Sequence, residues 1–198
     1  MKRIAVDIET LATTPTAAIT AIGIVIQQDL DPNSRISEIW TIDPQLAIGD
    51  RDYATIFWWS EQSELARKIA FGGKGHPQDV CNSINFWLQT HLDSGVSEER
   101  CYYANPARFD FAILHNLFIR CGIEPFIHWR EERCQRTLDK ELGDLGVSIP
   151  EFPNFCPHDP VSDCVHQLDE LNWILSYLEG AVKYHQQGIK AYSERPGL

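Results

Sequence analysis

The sequence predicts a single α/β domain whose mixed β-sheet is flanked by helices, and three observations support this fold class. A chain of 198 residues suffices for one domain with a substantial core but is short for two. Strand patterns come first and are followed by helices that alternate with short strands, which is typical of a mixed sheet covered by helices. No repeat, low-complexity segment or linker divides the chain. We therefore expect one domain over residues 1–187, followed by a tail over residues 188–198.

Three strands are expected near the start of the chain. Residues 2–8 form an apolar run that predicts the first strand, and residues 18–27 hold the β-branched side chains typical of a second. The segment DPNS at residues 31–34 is a turn signal, and residues 35–42 predict a third strand. Because the connections are short, we expect an antiparallel meander.

The remaining elements are predicted mainly from helical periodicity and from end signals. The first of these helices has Ser60 as its expected N-cap and ends at Gly72-Gly73. The predicted elements, in chain order, are a helix over 60–71, a helix over 77–92, a short strand over 101–104, a helix over about 109–121, a strand or helix start over 133–142, and a long helix over 162–185.

The net charge of −11, from 28 acidic against 17 basic residues, limits the kind of nucleic acid that the protein could bind. Proteins that grip long duplexes usually carry a basic stripe along the phosphates, so extended duplex binding is disfavoured. A protein that holds only a strand end needs fewer bases, because bound cations neutralise the acids of the site. The acidity is therefore compatible with a small nuclease.

The composition favours a cytoplasmic protein. Hydrophobic residues make up 43% and charged residues 23%, as in ordinary soluble domains. The first residues reach an aspartate before any apolar run of signal-peptide length, and no later run approaches a membrane span. The six cysteines show no tight pairing pattern, so we expect reduced thiols.

Asp7 and Glu9 are the first indication of a catalytic site. They lie two residues apart at the end of the first predicted strand, so both side chains should point to the same face. Two like charges side by side repel each other unless a cation lies between them. A solvated turn would also explain the pair taken alone, but a metal explains it better once the other acids are considered.

Three further residues extend this pattern. Asp110 lies near the start of a predicted helix that follows a strand, which places its carboxylate at the rim where strands end. Asp163 opens the last helix, and His158 precedes it in a proline-containing loop, where an imidazole is a natural general base. Individually these residues could be a helix cap, a first-turn acid and an ordinary loop histidine. Together, four carboxylates and a histidine indicate a two-metal nuclease site for Mg²⁺ or Mn²⁺.

The order of these motifs resembles the DEDDh group of 3′–5′ exonucleases, which have an RNase H-like fold. The shared motifs are Asp-x-Glu on the first strand, Phe-Asp after a loop, and His-x4-Asp at the final helix. The segments TIFWWSEQSELAR (55–67), YANPARFDFAIL (103–114) and RTLDK (136–140) are similar to the small stand-alone 3′–5′ exoribonucleases and to phage exonuclease A-type proteins. The residues that this resemblance implies are Asp7, Glu9, Asp110 and Asp163 as metal ligands and His158 as the base.

The resemblance implies an exoribonuclease that releases 5′-mononucleotides from single-stranded or 3′-overhang RNA with two Mg²⁺ or Mn²⁺ ions. Two alternatives stay open: a DNA exonuclease of the same chemistry, and an inactive module that binds nucleic acid. A contact with the 2′-hydroxyl group, which would separate RNA from DNA, cannot be read from the sequence. The resemblance and the aromatic residues are also compatible with a homodimer, although a monomer's core would use those aromatics equally well.

Four further residues are candidates for substrate binding. Trp58 and Trp59 could stack on unpaired bases, with core packing as the alternative. Adjacent side chains on a strand point in opposite directions, so we expect one tryptophan to be buried and one to lie near the site. Asn105 and Arg108 lie close to the third carboxylate and could contact sugar or phosphate, although Arg108 could equally be a surface charge. We expect Arg136 to pair with an acid rather than to bind phosphate.

A zinc site is the main rival interpretation. Cys156, His158, Cys164 and His166 are zinc-type ligands close together in the sequence, but their spacing matches none of the usual pairs. The glycine-rich loop at residues 69–77 lacks the arrangement of a phosphate-binding P-loop. Neither pattern outweighs the carboxylate site.

Overall fold

The computed structural model describes residues 1–93, 95–97 and 99–193, with side chains up to residue 187. The described part forms a five-stranded sheet flanked by helices, which confirms the predicted fold class. The strands are β1 (Lys2–Thr10), β2 (Ile19–Gln28), β3 (Ile36–Thr41), β4 (Arg100–Ala104) and β5 (Glu132–Cys134). The helices are α1 (Tyr53–Ser60), α2 (Glu64–Phe71), α3 (Pro77–His91), α4 (Ala107–Cys121), α5 (Gln135–Asp144) and α6 (Pro160–Ser193).

The strand order is β3-β2-β1-β4-β5. The first three strands form the predicted antiparallel meander, whereas β4 and β5 run parallel to β1. Because parallel strands end at the same edge of a sheet, the segments that follow β1, β4 and β5 meet there. This edge brings together parts of the chain that are far apart in sequence.

The two faces of β1 have different neighbours. Ile4 and Val6 point into the larger core, whereas Ala5 points into a smaller one that includes Leu168 and Leu171 of α6. Side chains alternate along a strand, so Asp7 shares the face of Ala5. The end of β1 therefore presents its acids on the face that α6 covers.

Gly23 lets the beginning of α6 lie directly on the sheet. It pairs with Asp7 across β1 and β2, and a Cβ at this position would lie 2.4 Å from the carbonyl carbon of Pro160. The Sγ of Cys164 also donates a hydrogen bond to the Gly23 carbonyl oxygen at 3.4 Å. Since no side chain separates the two backbones, the first turn of α6 is placed against Asp7.

The segment before α3 differs from the prediction of one helix over residues 60–71. It forms two helices, because Asp52 caps α1 by accepting a hydrogen bond from the Thr55 N–H, and Ser63 caps α2. Ser60 is thus the last residue of α1, and the expected N-cap at this position was wrong. The predicted helix is therefore found over Glu64–Phe71, and α1 is an additional helix before it that was not predicted.

The last helix is longer than predicted. It begins at Pro160, where the fixed φ of proline suits the first turn, and it continues through Ser193. The predicted tail over residues 188–198 therefore starts within α6, and residues 194–198 lie outside the described part. Among the helices described, including α6, none is long and apolar enough to cross a membrane.

Candidate active site

Three carboxylates meet where β1 ends. Asp7 and Glu9 lie in the last residues of β1. The Gln167 side chain of α6 donates a hydrogen bond to Asp7 Oδ1 at 3.1 Å. Asp110 reaches the same place from the first turn of α4, after β4 and a short loop. Glu9 and Asp110 are only 7% and 3% exposed. Acids this deeply buried are rare in proteins unless a partner compensates their charge.

The fourth carboxylate belongs to a compact turn before α6. Asp163 Oδ2 accepts a hydrogen bond from the His158 N–H at 3.0 Å, and Asp163 Oδ1 accepts one from the Asn154 side chain. Asp159 caps α6 by accepting a hydrogen bond from the Val161 N–H at 3.0 Å. Hydrogen bonds within the His-x4-Asp segment therefore fix the conformation of this turn.

His158 is held by its backbone as well as by its neighbours. Its φ of +66° lies in the left-handed region, which non-glycine residues seldom adopt. Its Nδ1 lies 4.0 Å from Glu9 Oε1, and its ring is 35% exposed. The rings of Trp58 and Trp59 contact the imidazole edge-to-face, with centroids 4.9 and 5.8 Å away. The imidazole is thus oriented at the rim, where solvent can reach it.

The acids of the site repel one another. Burial, and then the charge of the neighbouring carboxylates, holds the pKa of Asp7 well above its usual range. Burial and the charge of Asp163 raise the pKa of Glu9 to about 9. Burial also raises the pKa of Asp110 to about 7 and the pKa of Asp163 above its usual value. All four acids therefore resist ionisation unless a cation compensates them.

The donor atoms fit a hard divalent cation. One atom each from Glu9, His158 and Asp163 lie within 4.8 Å of one another, and Asp7 and Asp110 line the same cleft. Oxygen donors from several carboxylates are the ligands that Mg²⁺ and Mn²⁺ prefer. The site is therefore a possible acidic metal site whose charge a cation would neutralise.

Two clefts adjoin at these residues. We call the first the acidic cleft; it has a volume of about 430 Å³. The second, which we call the aromatic cleft, has a volume of about 460 Å³. Ile8, Glu9 and Phe109 form the wall between them. The acidic cleft is lined by Asp7, Ile8, Glu9, Asn105, Pro106, Phe109, Asp110, Arg136, His158, Asp163, His166 and Gln167. The aromatic cleft is lined by Ile8, Glu9, Thr10, Thr13, Asp52, Ala54, Thr55, Trp58, Trp59 and Phe109.

The candidate substrate-binding residues are divided between these surfaces. Trp58 is 40% exposed in the aromatic cleft, whereas Trp59 is 1% exposed and its Nε1 donates a hydrogen bond to the Thr10 carbonyl oxygen at 2.9 Å. The pair lies on α1, so its placement on a strand was wrong, although one ring is buried and the other lies near the site. Asn105 lines the acidic cleft. Arg108 does not; it is exposed and borders a smaller neighbouring cleft.

Three residues of the site region were missed or misjudged from sequence. Gln167 follows Asp163 by four positions, a spacing that places both on one face of a helix and could have identified it. Asn154 carries no such signal, because it lies in an irregular segment. The expected ion pair of Arg136 was wrong: its Nε and Nη2 donate hydrogen bonds to the Asn105 side chain and carbonyl oxygen at 3.0 and 3.3 Å.

The rival zinc ligands do not converge. Cys164 is fully buried, with its Sγ on the sheet backbone, and His166 Nε2 lies 3.1 Å from the Phe152 carbonyl oxygen. Within the described residues, the one cluster of potential ligands that contains His158 contains no cysteine. The geometry therefore favours the carboxylate site over a zinc site.

Comparisons with known proteins agree with this geometry. Two structures of E. coli exonuclease I superpose on this chain, both at 13% identity. The first, in complex with a dT13 oligonucleotide, gives a TM-score of 0.66, and the second, a zinc-bound complex with single-stranded DNA, gives 0.65. Each covers 92% of this chain, but the chain spans only 43% and 42% of theirs. A product-bound exonuclease I gives a TM-score of 0.60 at 12% identity, covering 90% of this chain and 46% of that one. The RNase H-like fold is thereby confirmed.

The family assignment comes from the sequence. No curated protein matches this chain. The family model of the 3′–5′ exoribonuclease Rv2179c-like domain matches residues 2–175, which covers most of the chain and includes all five candidate catalytic residues. This match confirms the predicted resemblance to the DEDDh-type 3′–5′ exonucleases. The chain belongs to the Rv2179c-like 3′–5′ exoribonuclease domain family.

Proposed function

We propose that this protein is a 3′–5′ exoribonuclease that releases 5′-mononucleotides from single-stranded or 3′-overhang RNA, and that residues 1–187 form its catalytic domain. One observation carries the proposal: four carboxylates and His158 converge in the acidic cleft, directly beside the aromatic cleft. The family's description supports RNA as the substrate. A strand end has room in the paired clefts, and the surface charge disfavours a long duplex.

Asp7, Glu9, Asp110 and Asp163 would hold the metal, with Mg²⁺ or Mn²⁺ as the proposed ion and two ions per site. When bound, these ions supply activation of water and neutralisation of charge on the leaving oxygen. The residues themselves orient the donor set: Gln167 holds Asp7, and Asn154 with the His158 N–H holds Asp163. Their hydrogen bonds limit how far the carboxylates can turn away when no cation is present.

His158 is the proposed general base. Its unprotonated ring nitrogen accepts a proton from the attacking water, whose oxygen then bonds to the terminal phosphorus. The bond from phosphorus to the 3′-oxygen of the upstream strand breaks, so the products are a 5′-mononucleotide and a strand shortened by one nucleotide. Trp58 and Trp59 keep the imidazole in position, because both rings pack edge-to-face against it.

Trp58 is the proposed contact for the terminal base. Its exposed ring lies in the aromatic cleft beside Glu9, and stacking of a base on an aromatic ring contributes about 1–3 kcal/mol. Trp59 is buried beneath it and supports Trp58 and His158 from the core side. Asn105, which lines the acidic cleft, is the proposed contact for sugar or phosphate. Arg108 lies outside that cleft and could contact only a longer strand.

A DNA 3′–5′ exonuclease is the second candidate, because the E. coli exonuclease I structures named above hold single-stranded DNA. At 13% identity this likeness shows the fold alone. The inactive binding module is disfavoured, since every residue of the catalytic pattern is present and converges. The homodimer and the cytoplasmic location stay predictions; light scattering of the purified protein tests the first of these.

The experiment that tests the proposal uses 5′-labelled RNA and DNA oligonucleotides of the same sequence, single-stranded and with 3′ overhangs, in Mg²⁺ or Mn²⁺. A ladder that shortens from the 3′ end on RNA, and is abolished by EDTA, is expected. Equal ladders on DNA would move the assignment to a general or DNA exonuclease. No cleavage of either by folded protein with metal would refute the enzyme and leave the binding module.

A further inference from the structure

Arg136 is a cation in the acidic cleft that forms no ion pair with any of the described residues. It lies in the first turn of α5, directly after β5, and its side chain lines the cleft. Nε and Nη2 donate hydrogen bonds to Asn105, and in the described part of the chain Nη1 makes none. No carboxylate among the described residues is in ion-pair contact with the guanidinium. Its orientation is therefore fixed while its charge stays available.

The environment makes this arrangement unusual. The chain carries a net charge of −11, and four carboxylates line the same cleft, so an arginine would ordinarily turn toward one of them. The Asn105 amide, a neutral acceptor, holds the guanidinium instead. Arginine is well matched to phosphate, because its planar group offers several N–H donors in a fixed geometry.

The position of Arg136 relative to the clefts defines which phosphate it would meet. The aromatic cleft, with Trp58, shares Glu9 and Phe109 with the acidic cleft, but neither Asn105 nor Arg136 belongs to it. With the terminal nucleoside in the aromatic cleft and the scissile phosphate at the carboxylates, the strand must leave across the remaining walls of the acidic cleft. Arg136 and Asn105 form part of those walls.

We infer that Arg136, oriented by Asn105, binds the phosphodiester one linkage upstream of the scissile bond, so that the strand runs from α5 across the carboxylates into the aromatic cleft. This inference rests on the proposed function for the location of the scissile bond. It makes Arg136 a substrate-binding residue that distinguishes an oligonucleotide from the shortest substrate. A dinucleoside monophosphate has only the scissile phosphate, so it gains nothing from Arg136.

The test is a double cycle between Arg136→Gln and a neutral methylphosphonate placed one linkage upstream of the scissile bond in a 5′-labelled oligoribonucleotide. For the wild type, we expect the methylphosphonate to lower kcat/KM on the order of tenfold to a hundredfold, as for loss of a charged hydrogen bond. On the unmodified strand, Arg136→Gln should lower kcat/KM by the same factor as the methylphosphonate does for the wild type. The kcat/KM of Arg136→Gln should then be the same with and without the methylphosphonate. Arg136→Lys should give an intermediate loss, because it keeps the charge without the planar group.

Two controls separate binding from an indirect effect. Arg130→Gln removes an exposed arginine that lines neither cleft, and it should leave both substrates unaffected. Arg136→Gln should lower the cleavage of a dinucleoside monophosphate far less than the cleavage of an oligoribonucleotide. If Arg136 acted only through the field on the metal ligands, both substrates would lose activity equally and the two changes would be additive, which would overturn the inference.

A binding version of the cycle, by fluorescence anisotropy in Ca²⁺, decides the inference independently of turnover. If Arg136→Gln and the methylphosphonate gave non-additive losses of affinity but no substrate were cleaved, the Arg136 site would be supported and the proposed activity refuted. Normal turnover with additive losses in both assays would refute the Arg136 site alone. Anisotropy losses that are coupled, together with RNA cleavage, are the expected result.

Discussion

Gly23 pairs with Asp7 across the two central strands, and its missing side chain is where the backbone of Pro160 lies. This contact connects the sheet to the first turn of α6, which carries Asp163. The acidic site therefore depends on a residue that has no functional group.

Gly23→Ala should lower kcat strongly and destabilise the fold. A Cβ at this position would lie 2.4 Å from the Pro160 carbonyl carbon. Because that carbon belongs to the backbone and cannot rotate away as a side chain can, α6 must shift. Overpacking of this kind destabilises by about 1–3 kcal/mol. Thermal melting and steady-state kinetics measure the two effects. Gly180→Ala, on an open part of α6, is the control and should stabilise slightly. A fully active Gly23→Ala with unchanged Tm would show that α6 has room to move.

His158→Ala should reduce kcat by about a hundredfold to ten-thousandfold, as expected for loss of a general base. His158→Asn is the sharper variant, because asparagine tolerates the left-handed backbone at this position and keeps the turn intact. Both variants should flatten the dependence of kcat on pH, because the group that accepts the proton is removed. An unchanged profile in His158→Asn would remove the histidine from the proton transfer.

The metal-free protein should lose stability as the pH rises from about 5 to about 9. The folded-state pKa of Glu9 is raised to about 9 and that of Asp110 to about 7, so the folded protein binds more protons than the unfolded chain in this range. Each deprotonation then disfavours the folded state. Mg²⁺ should reverse the trend, because its affinity rises as the acids ionise. Melting curves at pH 6 and pH 8.5, in EDTA and in Mg²⁺, test both the loss of stability with rising pH and its reversal by the metal.

Glu9→Gln should be inactive and yet more stable than the wild type in EDTA at pH 8.5. At pH 8.5 the Glu9 carboxylate is ionised in the unfolded chain and must bind a proton, or be buried as a charge, on folding; the amide avoids this cost. The amide also removes a metal ligand, so stabilisation by Mg²⁺ should shrink. We expect kcat to fall by at least about a hundredfold. Glu64→Gln, at an exposed position on α2, is the matched control. A Glu9→Gln variant that melted below the wild type in EDTA would contradict this cost of burying Glu9.

Trp58→Ala should raise KM on the order of tenfold to a hundredfold, corresponding to loss of about 1–3 kcal/mol of base stacking. It should also lower kcat, because the ring packs against the His158 imidazole. Trp58→Phe should recover part of the affinity, because it retains an aromatic face. Trp129→Ala, which removes an exposed tryptophan outside both clefts, serves as the control. If Trp58→Ala changed kcat with KM unaffected, the ring would matter for holding His158 and not for binding the base.

The sequence by itself determined the fold class and the candidate catalytic residues. Alternation along β1 places Asp7 and Glu9 on one face, and this is a local property of a strand. The order of strands and helices predicted the sheet, since each element has its own periodicity. The position of Asp110 near the start of α4, and of Asp163 near the start of α6, could be read from local helix signals in the same way.

The tertiary structure decided which capping residues start helices and which distant segments come into contact. Asp52 and Ser63 both cap helices, so the unpredicted helix α1 precedes the predicted one, and Trp58 lies on α1. Arg136 donates hydrogen bonds to Asn105, because β4 and β5 are neighbours in the sheet. The approach of α6 onto Gly23 is likewise a contact between distant segments. Periodicity and capping act over a few residues, whereas these contacts depend on how the whole sheet and its helices pack.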